Sequence, residues 1–113
     1  MKVSFEGIGE QVISFKKGNG TEKGLFVKMG ANATASACSA GDDFMGLCIH
    51  ADGAFCEVMT HGYMECAYSG SAPAVGYSVL VADAGGKVKT AASGRSYLVI
   101  NVDTTAKTVG FMM

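Results

Sequence analysis

Glycine recurs so often in this sequence that it limits the length of every regular element. Sixteen of the 113 residues are glycine, about one in seven, and only one residue is proline. Each glycine inside a helix costs up to about 1 kcal/mol relative to alanine, so long helices are disfavoured. Between the glycines lie short segments rich in β-forming residues, such as QVISF at 11–15 and YLVINVD at 97–103. The pattern predicts an all-β chain.

Turn signals divide the chain into about nine short strands, spaced by roughly 8–12 residues as in β-barrels and sandwiches. The Ala-rich segment 31–40 fits either a strand or a loop of small residues. We expect a small single-domain β-barrel or sandwich at 24–113, preceded at 1–23 by an extended N-terminal arm and a first strand. The predicted strands are 11–15, 25–29, 44–51, 54–60, 63–68, 78–82, 87–91, 97–103 and 108–113.

The three segments between residues 44 and 68 predict a meander. Asp52-Gly53 is a strong hairpin signal, and His61-Gly62 separates the second segment from the third. Side-chain alternation places Cys56 and Val58 on one face of the middle segment, with Phe55, Glu57 and Met59 on the other. The Glu57 carboxylate indicates that this second face is the more solvent-exposed one, although Phe55 and Met59 on the same face are apolar. Two hairpins are predicted after the meander, with turns at 83–86 and 104–107.

The composition is apolar and weakly charged. Hydrophobic residues make up 49% of the chain and charged residues 17%, against about 25% in typical soluble proteins. A disordered chain would show the opposite balance. The net charge of −1 disfavours a basic nucleic-acid binder, and no apolar run approaches the roughly 18 residues of a membrane span. We therefore expect neither a nucleic-acid partner nor a membrane.

Charge is unevenly placed along the chain. Residues 1–30 carry five Lys and three Glu, a net +2, and residues 87–113 carry three Lys, one Arg and one Asp, a net +3. Residues 31–86 hold six acids and no Lys or Arg, a net −6. This arrangement is consistent either with chance or with a polarised surface that orients docking on a partner.

The N-terminus has no apolar signal-peptide core, so we expect a product made in the cytoplasm. In that compartment the four cysteines, at 38, 48, 56 and 66, are expected to be free thiols that pack as small hydrophobes.

Reaction chemistry is weakly represented. Cys48 and His50 could share a strand face, with Cys56, His61 and Cys66 nearby, but the close ligand pairs typical of structural zinc are missing. A dyad of Cys66 with His61 would need a proximity that the sequence does not show.

Asp42-Asp43 follows Gly41 and is typical of a turn that carboxylates cap. Glycine-rich phosphate loops are also absent from the sequence, since Gly7-x-Gly9 and Gly18-x-Gly20 lack the third glycine and the following helix. We expect no catalytic residue, no metal and no cofactor.

The order of the motifs carries a resemblance. GLFVKMG at 24–30 is followed by AGDDFMGLCIHADG at 40–53, EVMTHGYMECAYSG at 57–70, PAVGYSVLVADAGGKVKTAASG at 73–94 and YLVINVDTTAKTVGFMM at 97–113. This series resembles the phage head decoration (capsid-stabilising) proteins related to the lambda head decoration protein. Gly46-Leu47, the stretch from Val58 to Gly62, and the late stretch from Gly76 to Lys87 occupy positions of the family pattern. The cysteine and methionine content departs from it.

The resemblance implies a non-enzymatic β-barrel that binds the outside of an expanded phage capsid and stabilises it. It implies a homotrimer at local threefold positions, with the major capsid protein and other copies of itself as partners, and a location on the virion after synthesis in the bacterial cytoplasm. It also implies an N-terminal arm that pairs with a capsid strand. The β-forming residues Lys2, Val3, Ser4 and Phe5 are the expected capsid contacts.

Two other functions fit the same residues. The chain could be another phage structural part, such as a head-fibre base or a tail-tube domain. It could also be a small cellular β-barrel binding module, although the biotinyl or lipoyl carrier form of such a module would need a Met beside Lys87, which is absent.

Overall fold

A computed structural model describes residues 10–113 and confirms the all-β prediction. It contains ten strands, and β3 falls inside the Ala-rich segment. The expected capsid contacts Lys2, Val3, Ser4 and Phe5 lie outside the described residues. The strands are β1 (Gln11–Lys17), β2 (Phe26–Ala31), β3 (Thr34–Ala37), β4 (Gly46–Ala51), β5 (Phe55–His61), β6 (Tyr63–Ala67), β7 (Gly76–Asp83), β8 (Lys87–Thr90), β9 (Ser96–Asp103) and β10 (Thr108–Met112).

The first five strands form a closed barrel in the order β1-β3-β2-β4-β5. A barrel of so few strands has a narrow interior, so small and β-branched side chains fill it. β1 runs antiparallel to β5 and parallel to β3, and these two pairings close the ring. The buried interior consists of Val27, Ala35, Cys48, Cys56 and Val58.

The remaining strands form a second sheet in the order β6-β10-β9-β7-β8. This sheet curls, because Tyr68, just beyond β6, bridges Val88 in β8 at the opposite edge. The expected hairpins β7–β8 and β9–β10 are both present. The first turns through a short 3-10 helix, Ala84–Gly86, whose leading amide donates to the Asp83 side chain. In the described part of the chain, no helix is long and apolar enough to cross a membrane.

An aromatic cluster fills the space between the barrel and the curled sheet. The Phe44 ring stacks on Tyr97 at a centroid distance of 4.9 Å and an interplanar angle of 5°. It also lies 4.4 Å from Phe26 of the barrel and 6.1 Å from Phe111 of the sheet. Phe111 is fully buried. Phe26 and Val27 are consecutive in β2, so their side chains lie on opposite faces of the barrel wall. Val27 is buried inside the barrel, and Phe26 is buried in the core between the barrel and the curled sheet.

The predicted meander is wrong at its third strand. β5 pairs with β4 as expected, but its other partner is β1, and β6 pairs with β10 in the second sheet. The chain changes sheets at Gly62, which adopts φ 128°, a backbone conformation that L side chains rarely adopt. Adding a side chain there would also press on Glu10, since a Cβ would lie 2.8 Å from the Glu10 Cγ. The single residue between β5 and β6 therefore redirects the chain.

Candidate docking site

β1 is far more exposed than a strand inside a closed barrel usually is. Of its seven residues only Phe15 is half-buried, and the other six are exposed. Two of the exposed side chains are large and apolar, with 46% of Val12 and 44% of Ile13 accessible. This combination distinguishes β1 from the other barrel strands, each of which has at least one buried residue.

The exposure follows from how the barrel closes. β1 pairs with β5 along most of its length, but it meets β3 only at Lys16 and Lys17. On the β3 side the Lys16 amide donates to the Ala33 carbonyl and the Gly18 amide to the Ala35 carbonyl, both at 2.7 Å. The preceding residues of β1, 11–15, have no partner on β3. We call residues 11–15, on the side facing away from β5, the β1 edge.

Backbone alternation identifies the groups that the β1 edge presents. The Lys17 amide donates toward β5, to the Ala54 carbonyl, so odd-numbered residues direct their polar backbone groups to that side. Even-numbered residues direct theirs to the other side, as Lys16 does. Val12 and Ser14 thus present their N–H and C=O groups at the edge, and within residues 10–113 no strand pairs with them there.

Ile13 shows the consequence for the barrel interior. Its register partner on β5 is Val58, which is fully buried inside the barrel, so Ile13 belongs to the inward-facing row. It nevertheless stays 44% exposed because β3 does not extend alongside it. An apolar side chain at an unpaired edge is a surface that a further strand would cover.

Cationic and aromatic side chains lie where the open part of β1 ends. Lys16 is the register partner of Phe55, whose side chain is 57% exposed, and Lys17 follows with an exposed side chain. Because β3 already pairs with β1 at Lys16 and Lys17, the open part of the edge is confined to residues 11–15.

The structure separates the residues considered for metal binding. Cys48 and Cys56 lie inside the barrel, whereas His50 and His61 are exposed on strands β4 and β5. Cys66 belongs to the second sheet and packs against the aromatic core. Among the residues that the structure describes, no three His, Cys, Asp or Glu side chains are grouped as metal ligands. Cys66 and His61 also fall in different sheets, so the geometry gives the dyad no support.

All four cysteines are free thiols in the structure. Burial raises the pKa of Cys66 to about 12 and that of Cys38 to about 11, and it also raises the pKa of Cys48 and Cys56. A thiol is nucleophilic as the thiolate, so these shifts suppress reactivity near neutral pH. The cysteines act as packing residues here.

The aspartate pair forms a turn, as the sequence indicates. Asp42 accepts a hydrogen bond of 2.8 Å from the Ser39 amide and pairs with the Lys28 ammonium at 2.6 Å. The hydrogen bond from Lys28, followed by that from Ser39, lowers the pKa of Asp42. The Asp42 carbonyl accepts from the Ala82 amide at 2.9 Å, which ties this loop to β7. The carboxylate is committed to a structural contact.

A pocket between β2 and the 3-10 turn is small. It is lined by Leu25, Phe26 and Cys38 on one side and by residues 82–86 on the other, with a volume of about 90 Å³. Pockets for drug-sized ligands usually hold about 300–1,000 Å³. This one has room for a few water molecules, so the β1 edge is the stronger candidate for a functional surface.

Sequence reasoning placed β1 among the strands but did not identify its open edge. The available signal was the segment QVISFKK, in which Val12 and Ile13 are adjacent and so cannot both face one core. No family model, curated protein or solved structure matches the chain.

Proposed function

We propose that the protein is a structural subunit of a phage virion that binds the outer surface of the capsid and stabilises the expanded head. The observation that carries this proposal is the β1 edge, where the backbone groups of Val12 and Ser14 have no strand partner within residues 10–113 and lie next to exposed Val12 and Ile13 side chains. Such an edge suits a protein that works by adding to a neighbour's sheet. The resemblance in motif order supplies the identity of the neighbour, the major capsid protein.

Strand addition at the β1 edge needs little side-chain complementarity. An incoming strand would bond to the N–H and C=O groups of Val12 and Ser14, and its side chains would cover Ile13. Main-chain hydrogen bonds supply affinity in this mode, whereas neighbouring apolar contacts add specificity and exclude water. β3 already pairs with β1 at Lys16 and Lys17, and this pairing limits how far the added strand extends.

The subunit is proposed to act as a homotrimer, without enzymatic activity or a cofactor. One edge of about five residues binds weakly by itself, since a short strand contact buries far less than the roughly 800 Å² per partner of a standard interface. Three linked edges would bind together, because each further contact forms at high effective concentration. The arm residues Lys2, Val3, Ser4 and Phe5 lie shortly before β1 in sequence and are proposed to add to the same contact.

Imaging of expanded, undecorated phage capsids mixed with the protein tests the proposal. We expect added density at the local threefold positions, with a strand paired to β1. The informative variant is Ser14→Pro, because the Ser14 amide faces the open edge and proline on that side leaves the β1–β5 pairing intact. The matched control is Ser14→Ala, which changes the side chain and keeps the amide.

We expect Ser14→Pro to reduce decoration at subsaturating protein by about tenfold per edge, the effect of one lost hydrogen bond of roughly 1.4 kcal/mol. Ser14→Ala should decorate like the unchanged protein. Capsids that stay bare with the unchanged protein would refute the capsid assignment. Equal decoration by Ser14→Pro and Ser14→Ala would show that the β1 edge is not the contact.

A further inference from the structure

The turn that follows β1 contains Asn19-Gly20, the only position in this sequence where asparagine precedes glycine. In such a pair the backbone nitrogen of the glycine can attack the side-chain carbonyl carbon of the asparagine, because the glycine has no Cβ to obstruct the approach. The other two asparagines precede residues that carry a Cβ, with Asn32 before alanine and Asn101 before valine. Asn19 is therefore the asparagine with the least hindered route to deamidation.

The structure leaves both reacting groups of this pair accessible. Asn19 and Gly20 are exposed, and within residues 10–113 no hydrogen bond holds the Asn19 side-chain amide or the Gly20 backbone N–H. The turn is closed by a hydrogen bond of 3.5 Å from the Thr21 amide to the Gly18 carbonyl, and the Asn19 carbonyl accepts from the Ala37 amide at 3.2 Å. Both are longer than the usual length of about 2.9–3.0 Å. The peptide plane between Asn19 and Gly20 is thus weakly held and can rotate toward the side chain.

A comparable pair, Asp52-Gly53, has the opposite arrangement. The Asp52 carboxylate accepts hydrogen bonds from the Ala54 amide at 3.0 Å and from the Phe55 amide at 2.9 Å. The bond from Phe55, followed by that from Ala54, lowers the pKa of Asp52, so the carboxylate is ionised near neutral pH and resists attack by a backbone nitrogen. The fold therefore protects this pair and leaves Asn19-Gly20 reactive.

We infer that Asn19 is a site of spontaneous covalent modification, at which deamidation through a cyclic imide alters the contact between β1 and β3. The Gly20 nitrogen bonds to the Asn19 Cγ, the bond from Cγ to Nδ2 breaks, and Nδ2 leaves as ammonia with the proton of the Gly20 amide. Water then opens the imide ring. Cleavage at Cγ leaves aspartate, whereas cleavage at the main-chain carbonyl carbon leaves isoaspartate, and no step is an oxidation or a reduction. The inference does not depend on what the protein binds.

The isoaspartate product changes the contact that closes the barrel. β1 pairs with β3 at Lys16 and Lys17, and the following turn extends this contact through the hydrogen bond from the Ala37 amide to the Asn19 carbonyl. In isoaspartate the main chain passes through the former side chain, so the turn gains one methylene group. The former main-chain carbonyl becomes part of a free carboxylate, and the acceptor of the Ala37 amide is displaced. The aspartate product keeps the main chain and adds only a negative charge.

Incubation of the native full-length protein in mildly alkaline buffer, followed by peptide mapping with mass spectrometry, tests the site. We expect Asn19 to convert at least about tenfold faster than Asn32 and Asn101, since only Asn19 precedes a residue without a Cβ. Enzymatic methylation of isoaspartyl groups should label the Asn19 peptide and leave the Asp52 peptide unlabelled. In urea, where the hydrogen bonds to Asp52 are lost, the Asp52 peptide should also become labelled. Conversion of Asn19 no faster than that of Asn32 and Asn101 would overturn the inference, as would a native protein labelled at Asp52 alone.

Thermal denaturation of the separated products tests the effect on the barrel. Asn19→Asp is the matched control, because it adds the carboxylate without lengthening the main chain. We expect its Tm to lie within about 2 °C of the unchanged protein, and the isoaspartyl fraction to melt about 4 °C lower, the effect of roughly one lost hydrogen bond. Asn19→Gln, whose longer side chain forms the corresponding imide far more slowly, should keep its Tm through the same incubation. Equal Tm values for the isoaspartyl fraction and Asn19→Asp would refute the altered contact between β1 and β3.

Discussion

Removal of one hydroxyl group, by the change Tyr97→Phe, tests whether the contact between barrel and sheet stabilises the fold. The Tyr97 ring is 2% exposed and stacks on Phe44, and its hydroxyl donates a buried hydrogen bond of 3.0 Å to the Phe44 carbonyl. The substitution keeps the ring and its packing. It removes only the donor, and so leaves a buried carbonyl without this partner.

The expected loss is about 2 kcal/mol of unfolding free energy, the midpoint of the roughly 1–3 kcal/mol for an orphaned buried polar group. For a domain of this size that corresponds to a fall in Tm of about 8 °C. Burial also raises the pKa of Tyr97 in the folded state. The stabilisation by the neutral Tyr97 hydroxyl is therefore complete below about pH 10 and is lost as the pH rises further. The difference in unfolding free energy between the unchanged protein and Tyr97→Phe should accordingly become smaller in alkali.

Urea denaturation followed by circular dichroism measures the loss, with equal m-values as evidence that the unfolded states match. Tyr77→Phe is the matched control, because Tyr77 is 79% exposed and its change should lie within about 0.5 kcal/mol of zero. If Tyr97→Phe falls within the same 0.5 kcal/mol, the hydroxyl contributes nothing to stability and the argument fails.

Three further changes probe other parts of the fold. As the pH falls below about 4, the Asp42→Asn variant should lose less stability than the unchanged protein, because the Lys28 contact lowers the native pKa of Asp42. Curves of unfolding free energy against pH that superimpose for the two proteins would contradict this. Alkylation of Cys66 at pH 8 should be at least about a hundredfold slower in the native protein than in urea, since its pKa is about 12. Gly46→Ala should cost at least about 2 kcal/mol by thermal denaturation, because its Cβ would overlap the backbone carbonyl of Met59; an unchanged Tm would show that β4 can shift freely.

Local features of the fold were readable from the sequence. The turns at 83–86 and 104–107 carry Gly, Asp and Thr between β-forming segments, and both hairpins formed there. Alternation in 54–60 correctly separated Cys56 and Val58 from the residues facing the other way. These features depend on neighbours in sequence, and so short-range patterns determine them.

Long-range pairing was not readable in the same way. Met59 shares a face with Glu57, which indicated a wet surface, yet Met59 is buried because the second sheet packs on that side of the barrel. β6 looked like the continuation of a meander, although its partner β10 lies more than forty residues later. The adjacent Val12 and Ile13 indicate that one apolar side chain of β1 lies outside a single core, but the position of the open edge depends on where β3 ends, which residues 11–17 do not encode.

The separation between β1 and its main partner has a consequence for synthesis. Phe15 and Cys56 touch in the barrel but lie 41 residues apart in the chain. At about 5–20 residues per second, a ribosome needs roughly 2–8 s to produce the second strand after the first. Throughout that interval the nascent β1 lacks β5, and for about the first half it also lacks β3 (Thr34–Ala37), so its adjacent Val12 and Ile13 can associate with other emerging chains. Polysomes making this protein would therefore bring copies of β1 together before any barrel has closed.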